Sequence, residues 1–307
     1  MNEPSDHALT VREPLPPMKL SRTLKDATST SFVHVDRHGK VRSPARYHAL
    51  NGLSWAATCV VGMSPVIYGL MFGAAGVVGG GLLVGFLGWR ITHRIRLRRA
   101  ALLLRGGRLD EAHELLTSLA RTRFVARGTR ALVEHNLAVY HTRRGEYETA
   151  LLHWERARGL YRTTRRRNIF AQVADYAETI TLVNVGRVSD ARERLAAKGA
   201  VPEGDYLRLQ HWIAELYIML AEGEHDLSDD ELFARARVGL ELTVGAPLLG
   251  LTGWAHHVSG DDDQAWHLLG EALDRAADHA GIEHTMPLLH VWMQEHAHVA
   301  EAARQEM

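Results

Sequence analysis

The chain has 307 residues and a single cysteine, Cys59, which excludes an internal disulfide framework and any multi-cysteine metal site. Lys+Arg and Asp+Glu both number 36, a balance that hides a strong asymmetry. Residues 1–89 carry 8 basic and 5 acidic side chains, residues 90–167 carry 19 and 7, and residues 168–307 carry 9 and 24, so charge runs from basic to acidic along the chain.

Residues 1–45 are punctuated by Pro4, Pro14, Pro16, Pro17 and Pro44 and hold no apolar period over a full element. They are expected to be a disordered cytosolic tail, too long and too polar for the start of a signal peptide. From Leu50 to Trp89 the chain runs 40 residues without a charge. One helical crossing of a bilayer needs about 20. Basic residues flank both sides: Arg37, Lys40, Arg42 and Arg46 before, Arg90, Arg94, Arg96, Arg98 and Arg99 after. Positive residues mark the cytoplasmic side, so an even number of crossings is expected. The reading is a transmembrane hairpin over 46–92, with spans at about 50–70 and 73–89. The turn falls near Tyr68–Gly76, with Gly62–Pro65 as a competing site. Gly69/Gly73, Gly76/Gly80 and Gly81/Gly85 have GxxxG spacing, which suits packing of the two spans or a homo-oligomer seam. This places the chain in the cytoplasmic (inner) membrane of a bacterial-type cell, with residues 93–307 in the cytosol.

Residues 93–307 read as helices of about 12–16 residues with short breaks. The breaks recur at Gly107, Gly145, Gly186, Gly223 and Gly260, separated by 38, 41, 37 and 37 residues. A period of this size indicates a solenoid. Five residues after four of these glycines stand Ala112, Ala150, Ala191 and Ala265. Glycine ends one helix in the left-handed conformation, and the alanine lets the next helix pack closely. After Gly223 the pattern departs, and Ser228-Asp-Asp-Glu231 forms a capping box that starts the next helix by itself. From Pro287 to about Arg304 a single helix closes the last repeat.

These residues resemble the tetratricopeptide repeat family. The second unit matches best: Asn136-Leu137-Ala138, then Gly145, Tyr147, Ala150, Trp154 and Ala157 stand at the family's signature positions, and Gly253, Gly260, Ala265, Leu269 and Ala272 do the same in the fifth. The period exceeds the family's, and the terminal proline is mostly missing. The resemblance implies an all-α, tetratricopeptide-like α-solenoid of about five helix pairs (A and B) plus a C-terminal capping helix, behind the transmembrane hairpin. It also implies a concave groove of A helices that binds a protein partner. By register Leu132, His135, Val139, Arg143, Tyr176, Ile180, Asn184, Ile213 and Tyr217 face inward. This set is more apolar than the family's carboxylate clamp and suits an amphipathic or extended segment.

Arg156, Arg158, Arg162, Arg165, Arg166 and Arg167 form a basic patch. It is read either as a contact for anionic lipid or an acidic partner, or as a solvated face; nucleic acid is the least favoured ligand. The histidines, dense toward the C-terminus, lack an HExxH motif and read as surface and groove residues rather than metal ligands. Asp229-Asp230-Glu231 and Asp261-Asp262-Asp263 each open a helix, where carboxylates cap free N–H groups. No nucleophile elbow, P-loop, dinucleotide fingerprint or kinase set occurs, so no cofactor and no catalytic residue are expected. The function expected is a membrane-anchored scaffold, or alternatively a glycine-packed subunit of an envelope assembly or secretion complex.

Overall fold

The computed structural model describes residues 74–306 except 124, 163–168, 243 and 277–280. Every element among the described residues is a helix. In chain order these are α1 (Ala74–Arg105), α2 (Leu109–Arg121), α3 (Arg127–Arg143), α4 (Tyr147–Arg162), α5 (Ile169–Asn184), α6 (Val188–Ala196), α7 (Asp205–Glu222), α8 (Asp229–Glu241), α9 (Ala246–Val258), α10 (Asp262–Ala276), α11 (Ile282–Thr285) and α12 (Pro287–Glu306). Consecutive helices pack on one another from α1 to α10 and again from α11 to α12, and alternate helices also touch, as in α5 with α7 and α7 with α9. The result is solenoid-like: five helix pairs from α1/α2 to α9/α10, followed by α12 against α10 and α9.

The turns explain the regularity. Gly107, Gly145, Gly186, Gly223 and Gly260 all have left-handed φ, between 71° and 82°. In four of these turns the glycine N–H and the following N–H reach back to the helix just ended. For Gly145 the bonds are Gly145 N–H to Thr142 O at 3.0 Å and Glu146 N–H to His141 O at 2.9 Å. This double closure satisfies carbonyls that the helix end would leave bare. The fourth turn differs in the way its sequence does. Gly223 bonds to Met219 O and Leu220 O instead, and α8 begins at the Ser228 capping box, with Ser228 N–H donating to Glu231 Oε2 at 2.9 Å.

The small residues mark the tightest crossings. Ala112, Ala150, Ala191 and Ala265 have no solvent exposure. At the crossing of α9 and α10, a Cβ on Gly253 would lie 3.0 Å from Ala265 O. There is no room for a larger side chain on either helix. Replacing Ala150 or Ala265 with leucine is expected to cost about 1–3 kcal/mol by overpacking, read as a lower melting temperature of the full chain; unchanged melting of both variants would overturn this register.

The first expected span and most of the expected turn lie outside the described residues; residues 74–76 of that turn and the second expected span from residue 74 onward fall within α1. Among the described residues, no helix is long and apolar enough to cross a membrane. The expected boundary between hairpin and repeats, at 92/93, falls inside α1, which continues through it with Thr92 Oγ1 donating to Gly88 O at 2.9 Å. The C-terminal half of α1 buries Leu97, Ala100, Leu103 and Leu104 against α2 and α3. Further toward the N-terminus the helix leaves this packing, and Leu82 is 72% and Phe86 52% exposed.

Buried charges tie the later pairs together. Glu178 of α5 is held by Arg194 at 2.5 Å and Arg158 at 3.8 Å, spanning α4, α5 and α6. Burial pushes the Glu178 carboxyl above the usual carboxylate range, and the two guanidiniums pull it back. Arg235 of α8 pairs with Glu215 at 2.8 Å and lies over the Trp212 ring.

Candidate functional site: a strap across the helix ends

The expected groove residues divide into three groups. Tyr176, Ile180 and Ile213 are buried in the long core that runs from α4 to α12, and Tyr176 turns its ring to His211 of α7. These three side chains are closed to any partner. Leu132 and Val139 are half-buried where the two smaller cores meet. His135 packs edge-on against Trp154 at 4.8 Å, with Tyr161 and Phe170 further out. Its Nδ1 is shut off from solvent without a partner, and burial drags its pKa down to about 4. His135 is thus engaged in aromatic packing, and its surroundings favour the uncharged ring.

Arg143, Asn184 and Tyr217 behave differently. They stand at or near the C-terminal ends of α3, α5 and α7, and all three meet one segment of the chain's own C-terminal region. That segment, residues 281–288, crosses from the last repeat back to the second, so that α11 touches α3. Asn184 Nδ2 donates to Thr285 O at 2.9 Å. Tyr217 Oη donates to Asn184 Oδ1 at 2.7 Å, which orients the amide, and accepts from Leu288 N–H at 3.4 Å. Tyr147, at the start of α4, donates its hydroxyl to His284 O at 2.9 Å. Arg143 donates to Leu104 O at the end of α1 and lines the approach to Gly281.

The local causes are simple. Pro287 opens α12 without an N–H of its own, and the first N–H of that helix, on Leu288, lacks an intrahelical acceptor, so Tyr217 supplies one. Gly281 has φ +136° and starts the single turn of α11, where Thr285 N–H bonds to Gly281 O. Ile282 and Met286 bury their side chains in the long core, whereas Glu283 and His284 stay exposed. Ile282 also borders a cleft of about 320 Å³ with Leu273, Ala276, His290 and Met293.

Half of the expected basic patch falls on described residues. Arg156 and Arg162 are exposed, Arg158 is committed to Glu178, and Arg165, Arg166 and Arg167 lie outside the described residues. Further back on α1, Arg90, Arg94, Arg98 and Arg99 are exposed. Histidines cluster at α2–α4, where the His141 and His153 rings stack at 5.0 Å and bond to Glu146 and Glu134 respectively. Among the described residues, no group of three or more His, Cys, Asp or Glu is placed to hold a metal ion.

Sequence reasoning assigned Tyr147 to the repeat pattern and read no partner for residues 281–286. No local signal marks that strap, since its contacts join residues 71 to 137 positions apart. No family model, curated protein or solved structure matches the chain.

Proposed function

We propose that the chain is a membrane-anchored scaffold whose tetratricopeptide-like solenoid holds a segment of a protein partner at the A-helix ends. The observation that carries this reading is the set Tyr147, Asn184 and Tyr217, which binds a main chain through side-chain hydrogen bonds. Binding through the main chain holds a segment of varied sequence, as a scaffold requires. The anchor rests on the uncharged run Leu50–Trp89 and on the exposed arginines beyond it on α1. Exposed arginines near the bilayer would also favour an anionic leaflet.

Two measurements test the proposal. Reporter fusions active only outside the cytosol are expected to stay silent at residues 45 and 307; activity at 307 would replace the hairpin with a single crossing. A photo-cross-linking residue at the exposed Glu148, beside Tyr147, in the membrane-bound full chain, is expected to capture one recurrent protein besides the chain's own strap. An intramolecular product alone would overturn the scaffold.

A second reading is favoured by α1. Gly81, Gly85 and Gly88 are exposed, and a Cβ on any of them would meet nothing within 4 Å. An open glycine face of this kind lets another helix approach closely in lipid, as a homo-oligomeric subunit of an envelope assembly would require.

A further inference from the structure

We infer that the A-helix ends form a site for a single-turn segment with two aliphatic side chains four residues apart, that residues 281–288 fill this site in the isolated chain, and that a partner segment of the same chemistry takes it by displacing them. The inference rests on the scaffold reading and specifies its ligand.

The strap shows what the site recognises. Tyr147 and Asn184 donate to the carbonyls of His284 and Thr285, and Tyr217 accepts from Leu288 N–H. These are groups that any peptide offers. The side chains of Glu283 and His284 point to solvent and contribute no selectivity. Selectivity falls to Ile282 and Met286, the two that enter the core. On a helical turn residues four apart share a face, so both can enter the site together. The acceptable partner is therefore an aliphatic pair at i and i+4 on a short turn, with polar residues between.

The strap is also built to leave. A four-residue helix has no stability of its own, because nucleation costs more than one turn returns. Its hydrogen bonds to α4, α5 and α7 run to side chains, so release costs one main-chain bond, His290 N–H to Met286 O at 3.0 Å, at the start of α12. On its inner side Ile282 borders the 320 Å³ cleft and is not close-packed there. What favours the strap is its tether, which supplies an effective concentration on the order of millimolar. A free segment of micromolar affinity loses to it, and one brought to the same membrane by its own anchor can compete. Occlusion thus restricts the scaffold to partners that share its membrane.

The test uses the full chain in detergent and a labelled peptide of residues 281–290 as probe. The double variant Ile282→Ser/Met286→Ser loosens the strap but leaves Tyr147, Asn184 and Tyr217 in place. The native chain is expected not to bind the probe and the double variant to bind it, with binding lost when Asn184→Ala is added or when the probe carries the same two serines. A folded double variant that ignores the probe overturns the proposal. So does one that dimerises by exchanging straps, because the occupant is then a second copy. If the double variant does not fold, hydrogen exchange of the native chain decides. The amides of Thr285 and Met286 are expected to exchange at least about 100-fold faster than those of α9, through local opening. Exchange as slow as α9 makes the strap a permanent part of the core and overturns the proposal. Probe binding by the double variant without a recurrent cross-link from position 148 keeps the site and removes the scaffold; a recurrent cross-link with no probe binding does the reverse.

Discussion

Replacing Gly245 with alanine is expected to lower the stability of the chain by about 2–4 kcal/mol, at the upper end of what overpacking costs. Gly245 closes the turn from α8 to α9, and its φ of −82° is open to any residue, so the cause is steric and not conformational. A Cβ there would stand 2.0 Å from Gly239 O and 2.7 Å from Leu242 O. Both are main-chain atoms at the end of α8 and cannot swing aside. Arg275 of α10 fixes the same helix end, donating to Gly239 O at 3.1 Å and Leu240 O at 3.2 Å. Making room means moving the end of α8 and losing those bonds. Gly128, in the first turn of α3, is the control: a Cβ there meets nothing within 4 Å, and Gly128→Ala is expected to be neutral or stabilising by up to about 1 kcal/mol. Denaturant midpoints of the two variants check the pair; equal midpoints would show that the α8–α9 turn yields to a Cβ without cost.

Lowering the pH from 7 to 5 is expected to destabilise the fold by up to about 2 kcal/mol through His135, with smaller losses from three other histidines. Burial lowers the pKa of His135 to about 4, and it also lowers those of His141, His211 and His256. In His141, His211 and His256, a neighbouring carboxylate (Glu146, Glu215 and Asp261 in turn) partly opposes burial. A histidine whose folded pKa lies below its unfolded value of about 6.5 binds fewer protons folded than unfolded in the interval between. The contribution is therefore complete above pH 6.5 and is lost as pH falls toward 4. Glu178 works in the opposite direction, since its folded pKa is raised. Melting temperatures at pH 7, 6 and 5 measure the slope. His135→Leu keeps the apolar packing, removes the titrating ring and is expected to flatten the slope. A slope unchanged by that substitution would show that His135 is solvated in the folded chain.

The repeat was readable because its determinants are local. A left-handed glycine, an alanine one turn into the next helix and a Ser228–Glu231 box each act over five residues or fewer, and each stands where the spacing put it. The closing helix was readable from Pro287 onward for the same reason. The inward register was less informative. A position on the inner half of an A helix faces either the groove or the neighbouring repeat, and only the crossing of the two helices decides which. Arg143 and Asn184 end their helices and approach or reach the strap, and Tyr217, buried in the same core as Tyr176, Ile180 and Ile213, reaches it through its hydroxyl alone.

By itself the sequence determined the helical class, the five-fold recurrence of pairs and the placement of their turns, because backbone conformation and capping depend on near neighbours. Only the tertiary structure decided that Arg158 pairs with Glu178, that His135 packs among Trp154, Tyr161 and Phe170, and that residues 281–288 lie across the helix ends. Each depends on contacts between helices distant in the chain. There the gain comes from desolvating and pairing groups that no local pattern distinguishes from exposed ones.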